Sequence, residues 1–212
     1  MIAEKYGASE EQIVVGNGSN EMIDLLIRVF CQREESILTS KGAFIAYKIC
    51  AKAAGVQVVE TPLDENLGFD VDALIEKLES EKFNLVFVAN PNNPTGSYLG
   101  HEDVTRLLEK TQAYPNTLVI LDEAYNEFAR AKDFPRGIEF LDKYKNLVVL
   151  NTLSKVYAVA GLRVGFIMAY PEVCDYINRV RNPFNVNSLA QAGAIAALKL
   201  SLIHISEPTR PY

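Results

Sequence analysis

The sequence predicts an α/β fold, a mainly parallel seven-stranded sheet with helices on both faces. Three observations carry that expectation. Short apolar runs alternate with longer amphipathic segments along the chain, which is the pattern of βαβ units. The longest apolar runs, such as residues 117–121, are strand-sized. With 212 residues, 49% hydrophobic and 23% charged, the chain can also bury roughly 70% of its unfolded surface around one main core.

Ile13, Val14 and Val15 form a β-branched run expected to be the first strand, and an amphipathic helix follows over 20–30. Residues 36–38 and 56–60 are the next strands, with a helix over 43–54 between them. A helix over 71–80 leads to a strand over 85–89, and a helix over 102–112 leads to a strand over 118–121. Strands over 147–150 and 164–168 complete the sheet, and helices over 171–179 and 188–200 follow. In the last helix Leu189, Ala192, Ile195 and Ala196 recur with the period of a packed face. No repeat, low-complexity tract or Gly/Pro/Ser-rich linker interrupts residues 1–200, which read as one domain. Residues 201–212, SLIHISEPTRPY, have two prolines and no period, and are expected to be a non-native tail.

Charge and composition exclude several functions. Lys and Arg number 21 against 27 Asp and Glu, a net charge of −6, and no run of like charge could follow a phosphate backbone, so no nucleic-acid partner is expected. Neither a membrane span nor a secretory signal is visible. Cys31, Cys50 and Cys174 form an odd set without a C-x-x-C, which suits reduced thiols in the cytoplasm. With only His101 and His204, and the latter in the suspect tail, no metal site and no Ser-His-Asp triad are expected. Chemistry is left to lysine, carboxylate or a cofactor.

Parallel sheets bind ligands beyond the carboxyl ends of their strands, so the residues just after each strand matter most. After the first strand comes GNGSNE, 16–21. Gly18 lets the backbone approach a ligand ahead of a helix N-terminus that favours an anion, while a plain tight turn with Ser19 or Asn20 as N-cap fits the same residues. After 85–89 comes NPNNPTG, 90–96, a cluster of turn formers that suits a surface loop or a ligand loop. After 118–121 come Asp122, Glu123, Ala124 and Tyr125, so an apolar run delivers a carboxylate to the ligand-bearing edge. After 147–150 come Ser154 and Lys155, with Arg163 further on. A lysine is ordinarily solvated. Here Val156, Ala158, Val159, Ala160 and Leu162 form an apolar neighbourhood expected to enclose the amine and favour it as a nucleophile.

The set GNGSNE, NPNNPTG, DEAY and TLSKVYAVAGLRVGF, in this order, resembles the fold-type I aminotransferases that depend on pyridoxal 5′-phosphate. RNPFNVNSLAQAGAIAAL, 181–198, and a near-continuous likeness from residue 2 to about 200 make it similar to the histidinol-phosphate aminotransferase branch. That resemblance implies that Lys155 is the catalytic residue, bonding covalently to the cofactor and shuttling a proton. It implies that Asp122 pairs with the pyridine nitrogen, that Asn93 and Tyr125 bond the ring's 3′ oxygen, and that Phe44 stacks on the ring. Ser154 and Arg163 would hold the phosphate with Ser19, Asn20 and the backbone near Gly18. A cis Asn93–Pro94 bond is implied as well.

The same resemblance implies transamination of histidinol phosphate with 2-oxoglutarate, giving imidazole-acetol phosphate and glutamate, in histidine biosynthesis, by a homodimer. Aromatic aminotransferases and threonine-phosphate decarboxylases share these cofactor residues. A non-catalytic, cofactor-binding regulatory module is the alternative from another class. The family's N-terminal arm and its C-terminal small domain, with a carboxylate-binding arginine, are expected to lie outside residues 1–200. What remains is the large domain, expected to be inactive alone.

Overall fold

The computed structural model describes residues 1–200; the expected tail, with His204, lies outside the described residues. Seven strands form one sheet: β1 (Ile13–Asn17), β2 (Ser36–Ser40), β3 (Gln57–Thr61), β4 (Leu85–Ala89), β5 (Leu118–Asp122), β6 (Leu147–Thr152) and β7 (Val164–Ala169). Their order is β1-β7-β6-β5-β4-β2-β3. Neighbours from β6 through β3 pair in parallel, whereas β7 is antiparallel to both β6 and β1. β1 therefore points the same way as β6.

Every residue of β4, β5, β6 and β7 is buried, which is why these strands read as unbroken apolar runs instead of alternating ones. The helices are α1 (Ile2–Tyr6), α2 (Ser19–Phe30), α3 (Ala46–Ala54), α4 (Val71–Ser80), α5 (His101–Thr111), α6 (Pro171–Val180) and α7 (Ser188–Lys199). Crossovers between parallel strands are right-handed. The step from β2 through α3 to β3 moves outward, and the steps through α4 and α5 move back across the sheet, so α3 lies on one face and α4 and α5 on the other. α2 packs against α3 and α6. The helix α4 starts where the Asp70 carboxylate accepts the Ala73 N–H at 3.0 Å.

The expected elements are present, with shifted ends. The helix expected from residue 43 begins at Ala46, which leaves Phe44 in the turn ahead of it. β1 and β6 run on to Asn17 and Thr152, because both remain paired with β7. The packed face expected on the last helix is corrected. Ala190, Ala194 and Ala197 are the buried residues of α7, while Leu189, Ala192, Ile195 and Ala196 face outward. Small side chains bring this helix close to β7 and to the turn at Ala160–Leu162, and the larger ones are left on the far side. No helix among the described residues is long and apolar enough to cross a membrane.

The topology gathers one edge. The carboxyl ends of β1, β2, β4, β5 and β6 lie together, and so does the amino end of β7, through the pairs Asn17↔Val164 and Thr152↔Gly165. Between β2 and β4 the chain turns from building outward to building back, the point where open α/β sheets bind ligands. Gly165 allows β7 to pass under the start of α2, since a Cβ there would strike the Ser19 backbone nitrogen. Gly165→Ala is expected to lose about 1–3 kcal/mol in urea unfolding, because the obstacle is backbone and cannot rotate aside. Unchanged stability would mean that the α2 N-terminus yields freely.

Candidate active site

A cavity of about 760 Å³ opens at this edge, and Ser19, Asn20, Phe44, Asn93, Asp122, Tyr125, Ser154, Lys155 and Arg163 all line it. Of the residues named from the sequence, Gly18 alone is absent from the lining. Its place is behind the Arg163 guanidinium, which a Cβ at Gly18 would strike, and its φ of +78° suits glycine.

On the β5 side Asp122 is 4% exposed, at the end of its strand. One carboxylate oxygen accepts the Ala124 N–H at 3.1 Å, and the other accepts the Tyr47 hydroxyl at 2.7 Å. Burial raises the Asp122 carboxyl above its ordinary range, and the Tyr47 hydroxyl, the Ala124 amide and the Lys155 charge pull it back. In the sequence Tyr47 has no strand-end position to set it apart. Its signal was the spacing of three from Phe44, whose ring meets that of Tyr47 edge-on at 5.8 Å. The Asn93 amide donates to the Tyr125 hydroxyl at 3.4 Å. Both the Asn90–Pro91 and Asn93–Pro94 bonds are cis; the second was expected and the first was not.

On the β1 and β7 side the groups suit an anion. The N-cap of α2 is Gly18, with no side chain capping the helix, so neither Ser19 nor Asn20 serves as the cap. Its first N–H groups are left for an acceptor. The buried Ser154 hydroxyl has no hydrogen-bond partner. Arg163 adopts a left-handed backbone, φ +55°, at a cost of about 1–2 kcal/mol, and this turn carries its guanidinium to the α2 N-terminus.

The apolar enclosure expected for Lys155 is corrected. Val156 and Tyr157 turn into the core and Ala158 and Ala160 are exposed, so the lysine stands exposed at the cavity. Its ammonium lies 5.0 Å from the centre of the Tyr125 ring, a cation–π contact.

The aminotransferase class I and II family model matches residues 1–209. The chain belongs to that family. Over 177 residues it is 44% identical to the histidinol-phosphate aminotransferase of Bdellovibrio bacteriovorus, covering 82% of this chain and 48% of that protein. Its likeness to the enzyme of that name from an Anaeromyxobacter species is 47% over 175 residues, covering 82% and 47%. The crystal structure of histidinol-phosphate aminotransferase from Sinorhizobium meliloti in complex with pyridoxal-5′-phosphate superimposes with a TM-score of 0.88 at 30% identity, covering 96% of this chain and 55% of that one. The chain thus spans about half the length of the curated relatives it matches.

In this family member a second carboxylate, Glu123, lies directly behind Asp122. It is 3% exposed and accepts the Gly137 N–H and, at 2.9 Å, the Asn126 amide. It thereby ties the segment after β5 to the turn at Gly137–Phe140. Burial pushes its carboxyl from 4.5 up to about 7. A raised folded-state value means that the native chain holds the proton more firmly than the unfolded one. Glu123 therefore favours folding below about pH 4.5, and that contribution fades as pH rises through 7. Relative to Glu123→Gln, wild-type stability in urea is expected to fall by roughly 3 kcal/mol between those limits. Parallel stability curves for the two proteins would exclude this titration.

Proposed function

We propose that residues 1–200 form the cofactor-binding large domain of a pyridoxal 5′-phosphate-dependent aminotransferase that converts histidinol phosphate and 2-oxoglutarate to imidazole-acetol phosphate and glutamate in histidine biosynthesis. The observation that carries the reading is one cavity holding an exposed lysine, a buried carboxylate and an anion cradle on separate strand ends. The cradle fits a phosphate monoester, since it offers the uncapped α2 N-terminus, the unpartnered Ser154 hydroxyl and the Arg163 guanidinium. Asp122 fits a protonated ring nitrogen, and Asn93 and Tyr125 together fit a ring oxygen. The names of the relatives support the choice of substrate.

When bound, pyridoxal phosphate supplies an aldehyde for amine exchange and a ring that takes up the charge developed at the substrate's α-carbon. Lys155 would bind the aldehyde carbon through its Nζ, and the same nitrogen would carry the proton taken from the substrate's α-carbon. Asp122 would oppose a positive charge on the ring nitrogen from its buried, preorganised position. Phe44 would hold the ring by its face. Among the residues lining the cavity, the cations are Lys155 and Arg163. Both are committed to the cofactor, so the substrate's own anionic group is met by residues outside this lining. A homodimer accords with the outward Phe184, Leu189 and Ile195, which are 96%, 78% and 45% exposed. A cytoplasmic location accords with the free Cys31, Cys50 and Cys174.

Pyridoxal phosphate added to the chain is expected to give a yellow complex whose borohydride-fixed label maps to Lys155 and is lost in Lys155→Ala. A label that persists on another lysine would remove Lys155 from the role. Protein that includes the further sequence of the relatives is expected to turn over histidinol phosphate with 2-oxoglutarate. The 212-residue chain is expected to be far slower, because substrate positioning can supply about 7–11 kcal/mol of the barrier. Equal specific activities would contradict that. Turnover of aromatic amino acids, or decarboxylation of threonine phosphate, with none of histidinol phosphate would move the assignment to a sister enzyme. Firm cofactor binding with no turnover at all would move it to a regulatory module.

A further inference from the structure

Tyr47 has no solvent exposure, and three contacts fix it. Its ring stacks on Phe87 of β4 with centroids 4.6 Å apart and planes 21° apart. The Phe44 ring meets it edge-on at 5.8 Å. Its hydroxyl donates to Asp122 at 2.7 Å. The phenol is also seated on α3 while the carboxylate it touches ends β5, so two separate elements fix the geometry of one hydrogen bond.

We infer that Tyr47 is a positioning residue, which keeps Asp122 ionised and aimed in one orientation at the nitrogen of the bound ring. The inference rests on the reading that pyridoxal phosphate occupies this cavity. A buried carboxylate with too few donors takes up a proton, and a neutral acid cannot oppose a ring cation. Asp122 has two donors from the protein, the Ala124 amide on one oxygen and the Tyr47 hydroxyl on the other, and the charged group facing it is Lys155. That lysine is also the group that must detach and move during the reaction. The hydroxyl and the amide are the partners that stay. Burial and the adjacent carboxylate push the Tyr47 phenol well above its ordinary range, so its proton remains on oxygen and the bond is donated in one direction. Through Phe44 the same side chain also borders the face on which the ring would stack.

Tyr47→Phe keeps the stacking and removes the hydroxyl, and it is tested in two backgrounds, wild type and Asp122→Asn. Thermal unfolding first establishes that each variant is folded. The dissociation constant for pyridoxal phosphate is expected to rise roughly ten- to a hundredfold in Tyr47→Phe, the usual weight of a hydrogen bond to a charged group. In the Asp122→Asn background the same change is expected to do little, about twofold or less, because a positioning residue has nothing left to act through. Independently of any cofactor, the ¹³C carboxyl resonance of Asp122 is expected to titrate at higher pH in Tyr47→Phe than in wild type. An unchanged Asp122 titration, unchanged affinity, or an equal loss in both backgrounds would overturn the inference and leave Tyr47 a packing residue. Wild-type protein that fails to bind pyridoxal phosphate would instead overturn the functional reading, and this role with it, whatever the carboxyl titration does.

Discussion

The reversed strand β7 is the constraint on which the rest depends. It sits between β1 and β6, pairs with both, and begins at the edge where the others end. That single reversal delivers Arg163 to the same side as Ser154 and the α2 N-terminus. A parallel β7 would carry its preceding residue to the opposite edge. Two glycines make the arrangement possible at close range: Gly165 admits the backbone of Ser19, and Gly18 admits the guanidinium. The anion cradle is thus a product of topology and of two missing side chains, with the left-handed turn at Arg163 as its local cost.

The opposite side of the cavity is governed by electrostatics at low exposure. Two successive residues, Asp122 and Glu123, bring carboxylates into the interior, and each has its own donors. Their surroundings differ in kind. Asp122 lines the cavity and faces Lys155, so a ligand can complete its coordination. Glu123 faces inward and is spent on the Gly137 turn and Asn126, which makes it a fastener for the loop beneath the site. Adjacent positions of the same residue class therefore divide between cavity and scaffold, because successive side chains of an extended segment point in opposite directions.

Much of the fold was legible because buried parallel strands announce themselves as short apolar runs, and all seven were found. Direction was not legible, since an apolar run carries no sign of which way it is threaded. For that reason Arg163, which precedes its strand, could be linked to the site by resemblance but not by the rule that ligands meet the ends of strands. Lys155 is exposed although an apolar segment follows it, because Val156 packs away from the lysine. In α7, hydrophobic size pointed to Leu189 and Ile195, while close approach selected Ala190, Ala194 and Ala197. Tyr47 could not be singled out either, because a tyrosine on an apolar helix face looks like core until the partner of its hydroxyl is known.

The order of the sheet also sets how much chain each strand pairing must close. Among the described residues β1 is an edge strand paired with β7, and Val14 depends on Ile167 for its place in the sheet. The central run from β2 to β6 can build from crossovers that are local in sequence. The earliest of the seven strands in sequence therefore pairs with the last, and its loop with the α2 N-terminus comes with it. The anion-cradle half of the cavity rests on the longest-range strand pairing among the described residues, the one with the largest loop-closure entropy in the sheet.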